Sequence, residues 1–204
     1  TENAYIRPTV YIRQIDDFIQ GTPFDDTPGV ADSLEEMMAS MHGSAAALLR
    51  FTNVDARLYG FDLDAGMDLP GRLRADAVLS YVRGERRDLD EDLYRIAPPS
   101  LTAGLTWEGD LWSATFETRA VAEQDKVSQT LQEAGTPGHV TLSLYGDWQV
   151  KDGVRLSAGV ENLLDQITRD HLSGYNRNAY GDVAIGTRLP GAGRSAFVRL
   201  SFVG

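Results

Sequence analysis

Residues 140–150 read VTLSLYGDWQV. Val140, Leu142, Leu144, Trp148 and Val150 share one parity, with Gly146 among them; Thr141, Ser143, Tyr145, Asp147 and Gln149 take the other. A period of two over that length is the pattern of a β-strand with one apolar and one polar face. It recurs on both sides. Val154, Leu156, Ala158 and Val160 oppose Arg155, Ser157, Gly159 and Glu161. Trp112, Ala114, Phe116 and Ala120 oppose Ser113, Thr115, Glu117 and Arg119. Leu73, Ala75, Ala77, Leu79 and Tyr81 oppose Arg74, Asp76, Val78 and Ser80.

The pattern predicts eight strands, at 4–20, 48–69, 73–85, 94–107, 111–124, 138–150, 154–164 and 194–203. Pro8 has no amide proton for a ladder, so the first strand suits an edge, a bulge or an interruption. Between 53 and 69 the parity slips: Val54, Ala56 and Leu58 are apolar, then Tyr59, Phe61, Leu63 and Met67. A bulge near Leu58–Gly60 explains that slip, and so does a strand that leaves the apolar layer there.

Connections alternate in length. LPGR (69–72), EGD (108–110) and KDG (151–153) are tight; 21–47, 86–93, 125–137 and 165–193 are long and polar. Short turns on one rim and long loops on the other are what an antiparallel up-and-down meander produces. Trp107, Trp112 and Trp148 all lie beside short turns. Indole has an apolar body and one N–H donor and favours a hydrocarbon–water boundary, so these three read as a membrane girdle; core tryptophans of a soluble barrel are the other reading. Periodicity does not say which face points inward. A lipocalin-like barrel turns its apolar face in, and a membrane barrel turns it out.

Composition narrows the field. The chain has 204 residues, 42% hydrophobic content and a net charge of −11. That charge argues against a nucleic-acid partner, which needs a basic stripe. No apolar run is long enough for a transmembrane helix, and the chain has no cysteine. It begins at Thr1, as a processed chain or a piece of a longer one does. No nucleophile–base set stands out: His42, His139 and His171 lie in or beside long loops, where a lone histidine is usually solvated, and the glycine-rich PGAGRS runs into a strand rather than a helix. The residues point to no catalysis and no bound cofactor.

Six stretches carry a resemblance: IDDFIQG (15–21), NVDARLYGFDLDA (53–65), IAPPSL (96–101), TPG (136–138), GVENLLDQITRDHLSG (159–174) and RLPGAGRS (188–195). Together, and in this order, they resemble the C-terminal part of the barrel of TonB-dependent outer-membrane receptors, in the metal and siderophore branch. GVENLLD is similar to that family's Gly-x-x-Asn-Leu-Phe-Asp, with Leu164 in place of Phe. The family ends on an aromatic residue; here Phe202 is followed by Val203 and Gly204.

The resemblance implies an all-β fold: residues 1–204 as an up-and-down meander forming the C-terminal part of a larger transmembrane barrel, without the plug domain. Such barrels have 22 strands and a plugged lumen. Expected partners are the remaining N-terminal strands, the plug, TonB through the missing N-terminal region, outer-membrane lipid and a metal-chelate ligand. The expected location is the outer membrane of a Gram-negative bacterium, and the expected role is transport of an iron-siderophore or copper-type chelate. The exposed edges at 4–20 and 194–203 would be completed by missing strands, by another chain, or by closure of the eight strands on themselves. Two other functions stay open: a soluble small-ligand barrel, and a structural eight-stranded outer-membrane barrel without transport.

Two candidate sites follow. Met37, Met41 and His42, within EEMMASMHG (35–43), offer soft and borderline ligands suited to copper; a short amphipathic helix packing Leu34, Met37, Met38 and Met41 onto the rim is the structural alternative. His171, Tyr175, Asn176, Arg177 and Tyr180 could contact an anionic chelate from the 165–193 loop; loop-to-loop packing is the alternative there.

Overall fold

The computed structural model describes residues 3–23, 49–178 and 180–202. The described chain holds no helix. It forms one antiparallel sheet of nine strands: β1 (Ala4–Pro23), β2 (Leu49–Leu69), β3 (Leu73–Arg86), β4 (Glu91–Asp92), β5 (Ser100–Glu108), β6 (Trp112–Val121), β7 (His139–Lys151), β8 (Val154–Glu161) and β9 (Ser195–Phe202). Spatial order follows chain order, with the two-residue β4 pairing only with β3 inside the loop after it. All eight expected strands are present. The start of β5 moves from 94 to Ser100 because Pro98 and Pro99 cannot donate to a ladder, and β8 ends at Glu161 because Asn162 turns left-handed (φ 51°).

Register makes each face continuous, because residues directly opposite across a ladder point the same way. Val10 pairs with Phe61, Phe61 with Tyr81, and Leu79 with Leu101. Leu105 pairs with Phe116, Phe116 with Leu144, Leu144 with Val160, and Val160 with Ala196. One apolar face thus runs unbroken from β1 to β9. The opposite face carries Tyr5, Arg7, Asp64, Arg74, Asp76, Glu117, Arg119, Asp147, Arg155 and Arg199.

The parity slip in β2 involves no bulge in that strand. Its register with β3 is unbroken from Ala56 to Leu69. The bulge lies in the partner strand: Asp16 and Asp17 of β1 together face Asp55, and Asp17 takes φ 60°. Above Tyr59 the apolar face ends, with Asn53, Asp55 and Arg57 continuing its outer surface. Val54 and Ala56 are buried on the other side. The strand therefore leaves the apolar layer. Pro8 sits opposite Leu63 without disturbing register, on an edge strand where a missing donor is tolerated.

Edges β1 and β9 do not pair with each other among the described residues; the sheet is open rather than closed on itself. The apolar face has no layer packed on it among the described residues: Phe116, Leu144 and Leu200 are 43%, 48% and 53% exposed. Burial is concentrated at the long-loop end, where Leu93, Val121, Val127, Ser128 and His171 are covered. That placement is the reverse of a soluble barrel, whose apolar strand residues form the core.

Candidate functional site: the polar face and the loop cap

On the polar face, aromatic rings lie across glycines of the neighbouring strand. Tyr11 covers Gly60, Tyr5 covers Gly66, and Tyr145 and Phe197 converge on Gly159; a Cβ at any of these three glycines would meet atoms at 2.3–2.6 Å. Tyr5 donates its hydroxyl to Asp64 (3.1 Å), and Arg7 stacks 4.4 Å from the Tyr5 ring while pairing with Asp64 at 3.5 Å. Arg74 bridges Asp68 and Asp76 at 2.9 and 3.0 Å. Thr106 and Thr115 hydroxyls meet at 2.9 Å, and Ser157 donates to Asp147 at 2.5 Å. Charges on this face therefore form cross-strand ladders, which suits a wet or filled bore.

The other face puts the tryptophans together at the short-turn rim. Trp107 and Trp112 ring centroids are 4.2 Å apart, and Trp112 stands opposite Trp148 in the β6–β7 ladder. Trp112 and Trp148 are each about half exposed.

At the opposite rim, three connections (87–99, 122–138 and 162–194) form one cap. Its starting point is local. Asn162, at the end of β8, donates its amide to Gln166 O (2.9 Å) and Ala192 O (3.5 Å), and accepts from Gln166 N. Asp165 accepts the backbone N–H of Arg194 at 2.8 Å. The motif GVENLLD and the motif PGAGRS are thus partners in space, each closing the other's end of the loop.

Deeper in the cap, Glu133 is a hub. Its carboxylate accepts the backbone N–H of Arg95 (3.2 and 3.3 Å) and of Ser128 (3.2 Å), and stands 3.0 Å from His171 Nε2, with both side chains fully buried. The carboxylate approaches off the N–H line, so Nε2 lacks an aligned acceptor. His171 Nδ1 meets Thr136 Oγ1 at 3.1 Å. Burial lowers the His171 pKa; Glu133 opposes that and Arg188 adds to it. Arg188 donates to the carbonyls of His171, Ser173 and Ala134 and to the Tyr175 hydroxyl. Arg95 donates its guanidinium to Leu172 O and holds a left-handed backbone (φ 60°). Glu91 accepts from the Ser128 hydroxyl (2.9 Å) and from the amide and hydroxyl of Thr130 (both 2.6 Å). Burial pushes its pKa up, but these donors outweigh it and hold the carboxyl below the ordinary range.

The candidate ligand-contact residues separate within this cap. His171, Tyr175 and Asn176 are engaged internally: Tyr175 bridges to Arg188, and Asn176 donates to the Asn178 and Val183 carbonyls. Arg177 and Tyr180 stand exposed, Tyr180 at 91%. His171, expected to be solvated, is instead buried. Glu133 and Glu91 carry no periodic or motif signal, and Arg188 opens RLPGAGRS without any mark of its partners; all three matter through contacts between loops distant in sequence. Met37, Met41 and His42 lie outside the described residues. Among the described residues no group of three or more His, Cys, Asp or Glu could hold a metal.

An antiparallel wall with one apolar face, one ionic face, short turns below and a loop cap above is a segment of a barrel wall. The family described as "TonB dependent receptor-like, beta-barrel" matches residues 3–163, and the chain belongs to it. None of the curated proteins matches the chain significantly. Among solved structures, the chain is similar to "Copper transporter OprC": 27% identity, TM-score 0.83, covering 99% of this chain and 29% of that one. It shares the fold of the siderophore receptor PirA from Acinetobacter baumannii (16% identity, TM-score 0.65, 99% of this chain, 30% of that one). It also shares that of the FrpB iron transporter from Neisseria meningitidis (14%, TM-score 0.66, 99% and 28%). The chain thus spans less than a third of the length of these solved structures.

Proposed function

We propose that this chain is the C-terminal part of the barrel of a TonB-dependent receptor in the outer membrane of a Gram-negative bacterium, importing a metal or metal chelate. The supporting observation is the unbroken apolar face across β1 to β9, exposed and without a second layer among the described residues, backed by an ionic face with ladders of charge. Such a sheet is stable where lipid covers the first face and water or a polar plug covers the second. The N-terminal strands of the receptor complete the edges of β1 and β9, its plug fills the bore, and TonB acts through its N-terminal region. Trp107, Trp112 and Trp148 form the girdle at the short-turn side. The work is binding and passage, not catalysis.

Copper, as the ion or a chelate, is the favoured cargo. The similarity to the copper transporter extends over nearly the whole chain at 27% identity. Met37, Met41 and His42 supply ligand types that copper prefers. Arg177 and Tyr180 are the loop groups free to touch an anionic chelate, while His171, Tyr175 and Asn176 shape the surface that presents them.

The test is a Cu(I) titration of the full receptor against the Met37→Ala/Met41→Ala variant, with copper uptake by cells measured in parallel. Weakened binding and reduced uptake are expected. Unchanged affinity removes the methionine site. Uptake of a ferric siderophore but not copper would assign the cargo to iron.

A further inference from the structure

The Glu133–His171 contact joins loops that are far apart in the chain. Arg95 brings the 87–99 connection to the Glu133 carboxylate, Ser128 ties the carboxylate to its own loop, and His171 brings the 162–194 connection. Other charged groups surround the imidazole. Arg188, from the same long loop, binds the His171 carbonyl; Asp170 adjoins it and is met by Arg119 of β6 at 3.8 Å. Arg95 reaches the neighbouring Leu172 carbonyl. Thr136 supplies the hydroxyl at Nδ1.

We propose that the Glu133–His171 joint is an acid-labile bolt: with His171 neutral it fastens the three connections into one cap, and protonation of His171 releases them.

The chemistry follows from the contacts. A neutral imidazole with its proton on Nε2 keeps that nitrogen 3.0 Å from the Glu133 carboxylate and leaves Nδ1 to accept the Thr136 hydroxyl. A second proton, placed on Nδ1, reverses that contact, so that the Thr136 hydroxyl must turn from donor to acceptor. It also adds a cation beside the Arg188 guanidinium in a site closed to water, where charge is costly. Glu133 attracts the new charge, but its carboxylate is shared with two backbone amides and is misaligned with Nε2. An opened loop offers His171 water instead. Because burial depresses the His171 pKa in the closed cap, the open cap binds the proton more readily. Stability of the closed state is therefore fully present above the open-state histidine value, about 6.5, and falls as pH drops below it. The long loops are the side on which cargo would arrive, so such a bolt would tie the shape of the entrance to external pH.

The experiment is hydrogen–deuterium exchange on the intact receptor in detergent at pH 7.5, 6.5 and 5.5, corrected for intrinsic exchange. Protection of the amides in 128–136 and 168–176 is expected to fall between pH 6.5 and 5.5, by up to about tenfold per pH unit for one linked proton. This window stays above the range in which ordinary carboxylates titrate. His171→Gln should flatten the profile. Where that variant does not fold, Glu133→Gln should give lower protection at pH 7.5 with the acid step retained; His139, which also lies near Arg119 and Asp170, is replaced by Gln in every protein compared so that it adds no step of its own. Constant or rising protection on acidification of the protein that keeps His171 overturns the proposal, as does a step that survives His171→Gln. The readout is loop opening rather than uptake, so failure here leaves the transport reading standing, and loss of the transport reading leaves the bolt standing.

Discussion

The carboxylate of Asp165 accepts the backbone N–H of Arg194 at 2.8 Å, so the residue that closes GVENLLD holds the residue that leads into β9. Both ends of this contact have left-turning or glycine-rich backbone: Asp165 itself has φ 54°, and a Cβ on Gly193 would stand 2.8 Å from Asp165 Oδ1. Two short motifs distant in sequence are here hydrogen-bonding partners across a long loop.

Asp165→Ala should therefore loosen the base of the 162–194 connection by about 0.5–1.5 kcal/mol, the net worth of one hydrogen bond whose exposed donor can turn to water instead. Asp165→Asn keeps an acceptor and should restore most of the loss. Limited proteolysis of the loop reads both: faster nicking for the alanine variant, near-native resistance for the asparagine one. Equal resistance in all three proteins would remove Asp165 from this role.

The glycines of the polar face should differ sharply among themselves. At Gly60 a Cβ would lie 2.3 Å from the Tyr11 hydroxyl and 2.5 Å from the Tyr81 carbonyl oxygen, and the second cannot swing away because it is backbone. At Gly104 the nearest atom is a Thr115 methyl at 3.9 Å. Gly60→Ala should cost about 1–3 kcal/mol through overpacking, while Gly104→Ala should be neutral or slightly favourable in a strand. Heat-induced unfolding of the barrel on gels compares the two, and equal midpoints would contradict the packing described.

Much of this architecture is legible in the chain itself, and the reasons are local. Alternation at 140–150 fixes faces because a strand has a period of two, and the turns LPGR, EGD and KDG fix neighbours because a short turn leaves no other choice. Two features are not legible in this way. The slip at Leu58–Gly60 looks the same whether caused by a bulge or by the end of the apolar layer, and the bulge that exists, between Ile15 and Phe18, lies in the other strand of the pair, where only the β1–β2 register reveals it. The cap is invisible for a different reason. Glu133, His171 and Arg188 lie 17 to 55 residues apart, and a pairing between loops leaves no periodic trace. A histidine in a polar loop has the composition of a solvated residue whether or not another loop closes over it.

Glu91 gives a separate acid response. Its folded-state carboxyl is held below the ordinary glutamate value by Thr130 and Ser128, against the pull of burial. A depressed carboxylate contributes stability that is complete above the unfolded value, about 4.3, and is lost as pH falls through the folded value. Opening of the segment around Ser128–Thr130 should therefore show a second step in that acid range, well below the histidine window. Glu91→Gln should abolish this step and weaken the segment at neutral pH. Exchange at the Thr130 amide, followed from pH 6 to pH 3, reports it directly; an identical profile in the glutamine variant would assign the step elsewhere.

The central claim is that the face bearing Leu142 and Leu144 looks at lipid while the face bearing Thr141 and Tyr145 looks into the bore. The chain has no native cysteine, so a nitroxide can be placed at each of these four positions in turn in the membrane-embedded receptor. Labels at 142 and 144 should collide readily with oxygen, which concentrates in hydrocarbon, and little with a water-soluble nickel chelate. Labels at 141 and 145 should collide poorly with oxygen. If 142 and 144 are instead shielded from both reagents while 141 and 145 meet nickel freely, the apolar residues form an internal core and the lipid-facing orientation is contradicted.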